Sequence, residues 1–237
     1  MTVDLNGRVA VVTGGNRGIG FEVCRSLARE GAKVVLGVRD EAAGEKAAET
    51  LRALGVDVVS KELDVTDQAD VDVLAAWLEA EHGRLDVLIN NAAIFPSRRN
   101  AIEVPLSEVQ ETLQVNLFGS WRMTQALMPL MRRNGWGRIV NVSSDSASLE
   151  RMSVATSVSY RVSKTALNAF TRTLAVLLRG EGILVNAVCP GWVHTEMGGA
   201  EAPRTPAEGA ASVMWAVQID DDGPSGGYLQ DGKPLPW

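Results

Sequence analysis

The sequence predicts an α/β domain built on a doubly wound parallel sheet of about seven strands, with helices on both faces. Three observations lead there. Short β-rich apolar runs alternate with stretches of helical periodicity along the whole chain, as repeated βαβ units require. The strands Val34-Val35-Leu36, Val87-Leu88-Ile89 and Ile139-Val140 are apolar on both faces, as expected where helices cover both sides of a sheet. The length, 237 residues, suits one such domain, since α/β chains reach about 250 residues before they split.

In chain order, the apolar run Val9 to Val12 marks a first strand over 8–13, and a glycine-rich turn opens a helix over 18–30. Strands at 33–38, 57–62 and 85–90 then alternate with helices at 41–54 and 67–82. A long helix is expected over 107–133, a strand over 137–143, a helix over 157–179 and a strand over 183–189. A helix at 206–217 and a last strand at 226–230 complete the series. Two stretches break the rhythm, Ile94 to Pro105 and Gly191 to Pro206. Each follows the carboxyl end of a strand, the edge at which open α/β sheets bind ligands, so they are the expected rims of a pocket. The segment from Asp220 to Trp237 reads as a tail packed over the domain or against another subunit.

A net charge of -6 and a pI near 5.1 disfavour nucleic acid or an anionic membrane surface as partner. The start, Met1-Thr2-Val3-Asp4, has no basic region before an apolar stretch, and no uncharged apolar run reaches the roughly 18 residues of a membrane span. A cytoplasmic location is the expectation. Cys24 and Cys189 fall in segments expected to be buried and read as small core hydrophobes. His82 and His194 lie at no ligand spacing from a cysteine, so no catalytic metal is expected.

Thr13-Gly14-Gly15-Asn16-Arg17-Gly18-Ile19-Gly20 sits between strand and helix. Glycines there allow a tight turn, close approach of a pyrophosphate and close packing of helix on strand. The helix N-terminus meets phosphate with unpaired N–H groups. Cofactor choice turns on Leu36-Gly37-Val38-Arg39-Asp40. A carboxylate there binds the adenosine ribose and repels a 2′-phosphate, whereas a guanidinium binds that phosphate. Asp40 has the sequence distance of an NAD-site acid, but strand alternation puts the strand end at Val38, with Arg39 just beyond and Arg17 reaching in from the turn. NADP(H) is preferred over NAD(H) on this basis.

Tyr160 and Lys164 lie four apart on one helical face. Lowering a tyrosine from about 10 to about 7 requires roughly 4 kcal/mol, which one ammonium at about 4 Å supplies at an effective dielectric near 20. Ser144, closing the strand that ends Asn141-Val142-Ser143, can hydrogen-bond a substrate carbonyl, or simply cap a turn. Asn116 is a polar amide in an otherwise apolar helical run.

The ordered set Thr13-Gly14-x-x-x-Gly18-x-Gly20, Asp64, Asn90-Asn91-Ala92, Asn116, Ser144, Tyr160-x-x-x-Lys164 and Pro190-Gly191 followed by Thr195 resembles the short-chain dehydrogenase/reductase family over nearly the whole chain. Arg39-Asp40, Cys189-Pro190-Gly191-Trp192-Val193 and the late Gly-Pro-Ser-Gly-Gly look most like its carbonyl reductase branch, which includes NADPH-dependent ketone reductases. The resemblance implies a single Rossmann-type domain. It makes Tyr160 the acid that protonates a carbonyl oxygen and Lys164 the group that binds the nicotinamide ribose and lowers the tyrosine pKa. Ser144 would hold the carbonyl, and Asn116 would anchor a water relaying protons through Lys164. The implied cofactor contacts are Gly14, Asn16, Arg17, Gly18, Ile19, Gly20, Arg39, Asp64, Val65, Asn91, Ala92, Pro190, Gly191, Val193 and Thr195, together with Tyr160 and Lys164. Three departures stand out. Ala93 occupies a usual glycine position. The span from Ser144 to Tyr160 is a few residues longer than is common, though far shorter than the insertion of some monomeric carbonyl reductases. Asp231-Gly232-Lys233 replaces the frequent Asp-Gly-Gly, leaving monomer, homodimer and homotetramer open.

The resulting expectation is an NADPH-dependent reductase of ketones or aldehydes, acting reversibly by direct hydride transfer. Phe95, Asp145, Leu149, Met152, Val154, Trp192 and Met197 are the expected pocket walls, mainly apolar, for a medium-sized, largely hydrophobic carbonyl compound. Arg98, Arg99 and Arg151 offer contacts for an acidic substrate or are exposed loop cations. The rivals are an NAD-linked alcohol dehydrogenase working in the oxidative direction, which needs Asp40 at the ribose, and a non-catalytic NADP-binding regulator, which has little need for the full set of Asn116, Ser144, Tyr160 and Lys164.

Overall fold

The structure, a computed structural model, describes residues 3–237. Among these, one sheet contains seven parallel strands: β1 (Val9–Thr13), β2 (Lys33–Val38), β3 (Val58–Glu62), β4 (Val87–Asn90), β5 (Gly137–Val142), β6 (Ile183–Val188) and β7 (Tyr228–Gln230). A two-residue antiparallel strand, β8 (Lys233–Pro234), adds an edge that the sequence pattern had not predicted, since so short a run carries no periodicity. The order is β3-β2-β1-β4-β5-β6-β7-β8. The chain reverses direction of travel between β1 and β4, which opens a crevice at their carboxyl ends.

Alternate residues of β1 feed two cores. Ala10 and Val12 pack with the helices α1 (Gly18–Arg29) and α2 (Glu41–Arg52) and with the late helix Pro206–Val217. Val9 and Val11 pack with α3 (Gln68–Glu81) and with residues of the central helices on the other face. This double burial is why the strands read as continuous apolar runs. Cys24 and Cys189 are both buried free thiols, as the pattern implied.

The long helix expected over 107–133 is present with one alteration. α4 (Leu106–Leu113) runs through a π-helical turn, Gln114–Gly119, into α5 (Ser120–Asn134). Gly119 ends that turn against Val65, where a Cβ would come within 2.6 Å of the valine Cγ2. The extra residue in the turn re-registers the helix without interrupting its apolar face, so sequence periodicity alone does not expose it. α6 (Val158–Leu177) carries Tyr160 and Lys164, and α7 (Pro206–Val217) starts at a Thr205/Glu208 capping box.

Candidate active site

The glycine turn is built to approach a ligand closely. Gly14 and Gly18 have φ of 66° and 54°, in the left-handed region that glycine adopts without strain. A Cβ on Gly20 would lie 2.3 Å from the Gly14 carbonyl oxygen and 2.6 Å from the Asn91 amide nitrogen. Thr13 ties β1 to the chain after β4: its Oγ1 accepts from the backbone N–H groups of Asn91 and Ala92, both at 3.0 Å. Asn91 completes the brace, donating from Nδ2 to the Thr13 and Gly14 carbonyls at 2.9 and 3.1 Å. The N-terminus of α1 has no side-chain cap and no acid in its first turn. Its unpaired N–H groups and positive dipole end therefore remain available to an anion, beside Asn16 and Ile19. These residues fit the phosphates of a dinucleotide.

Past β2, Arg39 and Asp40 behave differently. Asp40 caps α2, with Oδ1 accepting from the Ala43 N–H at 2.9 Å, whereas Arg39 is exposed and has no ion-pair partner among the described residues. Asp64 accepts from both the N–H and the hydroxyl of Thr66 at 2.8 Å, and Val65 is buried against the π turn. Arg17 pairs with Glu196, so the glycine turn and the 191–206 loop meet across the crevice. Thr195 approaches Gly18 from the same loop, and Val193 packs toward Ile19 across Gly209. Gly191 bends the chain after Pro190 with φ of 80°.

Ser144, Tyr160 and Lys164 converge at the carboxyl end of β5. Ser144 starts a 3-10 turn, Asp145–Ala147, its Oγ accepting from the Ser146 N–H at 3.2 Å and donating to Asp145 at 3.1 Å. Tyr160 is half-buried. Burial raises its phenol above the ordinary value, and a hydrogen bond with Ser144 pulls the other way. Lys164 is fully buried, donates to the Val142 carbonyl at 2.7 Å, and lies 5.7 Å from the centre of the Tyr160 ring. Desolvation brings its ammonium down to about 7. Lys164 is thus close enough to act on the phenol, but the protein's own surroundings hold that phenol protonated rather than lowering it, because burial outweighs the polar contacts.

Asn116 sits in the π turn, fully buried. Its amide accepts from the Ile94 N–H at 2.8 Å and donates to the Ile94 carbonyl and the Ser163 hydroxyl, both at 3.0 Å. Both amide hydrogens are occupied in clamping the 94–105 rim to α6, since Ser163 in turn donates to the Tyr160 carbonyl. Glu108 reinforces the clamp by accepting from Ser97 and Ser159.

Of the expected pocket walls, Phe95 meets Tyr160 edge to face, with ring centres 5.1 Å apart, and Asp145 adjoins Ser144. Leu149, Met152 and Val154 stand exposed on the loop before α6, and Trp192 and Met197 on the opposite rim. Trp192 is fixed there by its indole N–H bond to the Gly198 carbonyl. Arg99 pairs loosely with Glu108, and Arg98 and Arg151 are exposed. The site also contains groups that sequence spacing did not single out: the Thr13 brace, Glu196 opposite Arg17, and Tyr228, whose hydroxyl donates to the Ser144 carbonyl. Thr13 was visible as part of the turn motif, but the other two contacts depend on chain segments far apart.

The sheet order, the glycine cradle and the Ser-Tyr-Lys cluster define an oxidoreductase of the short-chain dehydrogenase type. A family profile described as short chain dehydrogenase matches residues 8–205. Carbonyl reductase [NADPH] 1 of Sus scrofa is 33% identical, covering 98% of this chain and 95% of its own length. Carbonyl reductase Sniffer of D. melanogaster superposes with a TM-score of 0.90 at 28% identity over 98% of this chain and all of that one. An NADPH-bound carbonyl reductase from chicken fatty liver gives 0.89 at 29%, with 98% and 100% covered. The chain belongs to the short-chain dehydrogenase/reductase family and is carbonyl reductase-like within it.

Proposed function

We propose that the protein reduces a ketone or aldehyde to an alcohol, reversibly, with NADPH preferred over NADH. The observation that carries the proposal is the convergence of Ser144, Tyr160 and Lys164 at the carboxyl end of β5, with Lys164 buried 5.7 Å from the Tyr160 ring and bonded to the Val142 carbonyl, in a fold that also carries a glycine cradle fit for a dinucleotide. When bound, the nicotinamide supplies the hydride. Tyr160, kept protonated by burial, gives its proton to the carbonyl oxygen as negative charge develops there. Ser144 holds that oxygen and then stabilises the phenolate. Lys164 contributes its positive charge near the phenolate and binds the ribose. With the Asn116 amide fully engaged, a water for proton relay would sit on main-chain carbonyls that the π turn tilts out of the helical ladder.

Arg39, unpaired at the end of β2, would take the 2′-phosphate, and Asp40 is committed to its helix cap. Asp64 and Val65 would meet the adenine, Asn91 and Ala92 the cleft, and Pro190, Gly191, Val193 and Thr195 the nicotinamide. The similarity to carbonyl reductases named for NADPH, and to one solved with NADPH bound, supports this choice. Phe95, Leu149, Met152, Val154, Trp192 and Met197 suit a largely apolar substrate. A homodimer is the assembly we infer, through exposed apolar residues of α5 and α6.

The test is the loss of reduced-nicotinamide absorbance with NADPH or NADH across a panel of ketones, aldehydes and quinones. Activity with NADPH that falls about a hundredfold or more in Tyr160→Phe, with NADPH binding intact, is the expected outcome. Turnover preserved in that variant would remove Tyr160 from the mechanism.

A further inference from the structure

The segment after β6 returns to the active site at a point that the short-chain chemistry does not use. Tyr228 on β7 is only 2% exposed, and its hydroxyl donates to the main-chain oxygen of Ser144. Its ring meets that of Trp237, with centres 5.5 Å apart and planes inclined at 40°. The Trp237 main-chain oxygen accepts from the Glu150 N–H at 3.0 Å and the Ser148 hydroxyl at 3.4 Å. Between them, Leu235 donates its N–H to the Tyr228 carbonyl at 2.8 Å and packs on a small cluster of Ala147, Ala187, Cys189 and Tyr228. This cluster lies against the 3-10 turn that follows Ser144. The β8 edge turns the chain so that it can reach there.

We propose that residues 228–237 form a strap that positions Ser144 through Tyr228 and sets the substrate loop, 148–156, through Trp237, making both residues determinants of carbonyl selectivity. The inference rests on the assignment of Ser144 as the group that holds the carbonyl. Packing alone would be met by phenylalanine at 228; the hydroxyl adds one bond, and its acceptor belongs to Ser144. Likewise the loop carrying Leu149, Met152 and Val154 is anchored through Ser148 and Glu150 to a residue 87 positions from Glu150 in sequence. Neither Tyr228 nor Trp237 touches the glycine cradle, so cofactor binding should not respond to them.

Tyr228→Phe, Trp237→Ala and Trp237→Phe would be compared for kcat, carbonyl KM, NADPH affinity, melting temperature and hydrogen exchange at the Glu150 amide. Tyr228→Phe should lower kcat about fivefold, the value of one hydrogen bond, with NADPH affinity unchanged. Trp237→Ala should raise KM about tenfold, reorder the substrate panel and speed exchange at Glu150, and Trp237→Phe should recover much of each effect. Unaltered kinetics together with unaltered Glu150 exchange would overturn the strap. So would parallel losses of melting temperature, NADPH affinity and turnover, which mark ordinary packing. If wild type reduces no carbonyl at all, the reductase assignment fails, while Glu150 exchange still decides whether the strap holds the loop.

Discussion

Arg39 and Asp40 are adjacent in sequence yet have separate roles, because one ends free and the other caps a helix. Replacing Arg39 by Ala should weaken NADPH binding by about tenfold to a hundredfold, the range of a lost charge-assisted bond, and leave NADH binding nearly unchanged. Calorimetric titration of both nucleotides would measure it, and equal losses for the two would disconnect Arg39 from the 2′-phosphate. Lys164 makes a second prediction, about pH. Burial lowers its pKa from 10.5 to about 7, so the unfolded chain holds more protons between those values. The folded state consequently gains stability as pH rises through that window and is penalised below it. Lys164→Met abolishes this titration. The stability difference between wild type and variant should move toward wild type by up to about 1.4 kcal/mol per pH unit above pH 7, as read by denaturant melts of the cofactor-free proteins. A pH-independent difference would mean that the amine is not desolvated.

At the scale of elements, the decisive unit is strand, glycine turn and helix. Gly20 lies in the first turn of α1 against the Gly14 carbonyl, and the 2.3 Å approach of a Cβ to that oxygen leaves no room for a side chain. Gly20→Ala should therefore lower NADPH affinity by about tenfold or more and destabilise the protein by about 1–3 kcal/mol, the usual cost of overpacking. Fluorescence titration with a parallel thermal melt would check both. Unchanged affinity would show that the turn yields easily. The π turn is a contrasting case, since it keeps the apolar face of the α4–α5 helix while turning Asn116 to clamp Ile94 and Ser163. Asn116 itself was legible as a polar amide in an apolar helical run. Its clamp was not, because the Ile94 partner lies in an irregular rim with no period to follow.

Across the whole molecule, the candidate site lies at the carboxyl edge of the sheet, and the opposite edge carries a cluster of paired charges. There Arg138 is fully buried, pairs with Asp221 and stacks on Trp136, whose other neighbour is Arg8 at 3.8 Å. On the flank, Val162, Phe170 and Leu177 share one side of α6, and Trp121 of α5 stacks on Phe170 with ring centres 4.7 Å apart. Leu177 is 67% exposed and Trp121 41%. The aligned span with the porcine carbonyl reductase is 277 positions, longer than this chain, so that relative carries residues missing here. Wild type should sediment as a dimer, and Leu177→Arg combined with Trp121→Glu should sediment as a folded monomer. A monomeric wild type would exclude pairing through this flank.

Alternating strands and helices, the glycine turn, and the Ser144, Tyr160 and Lys164 spacing were all determined by sequence, because each is a local pattern whose period or offset follows from backbone geometry. Element boundaries agree with the structure to within a few residues for the same reason. Tertiary structure alone decided which charges were free, with Asp40 capping a helix, Arg17 meeting Glu196 and Arg39 left open. It also decided the protonation of the Tyr160–Lys164 pair, where burial acts on both groups more strongly than their four-residue spacing suggests. The approach of Tyr228 and Trp237 to Ser144 and its loop belongs to this second kind. Contacts between segments more than 80 residues apart leave no periodic trace in a single sequence, and they arise only when the sheet brings β7 beside β6.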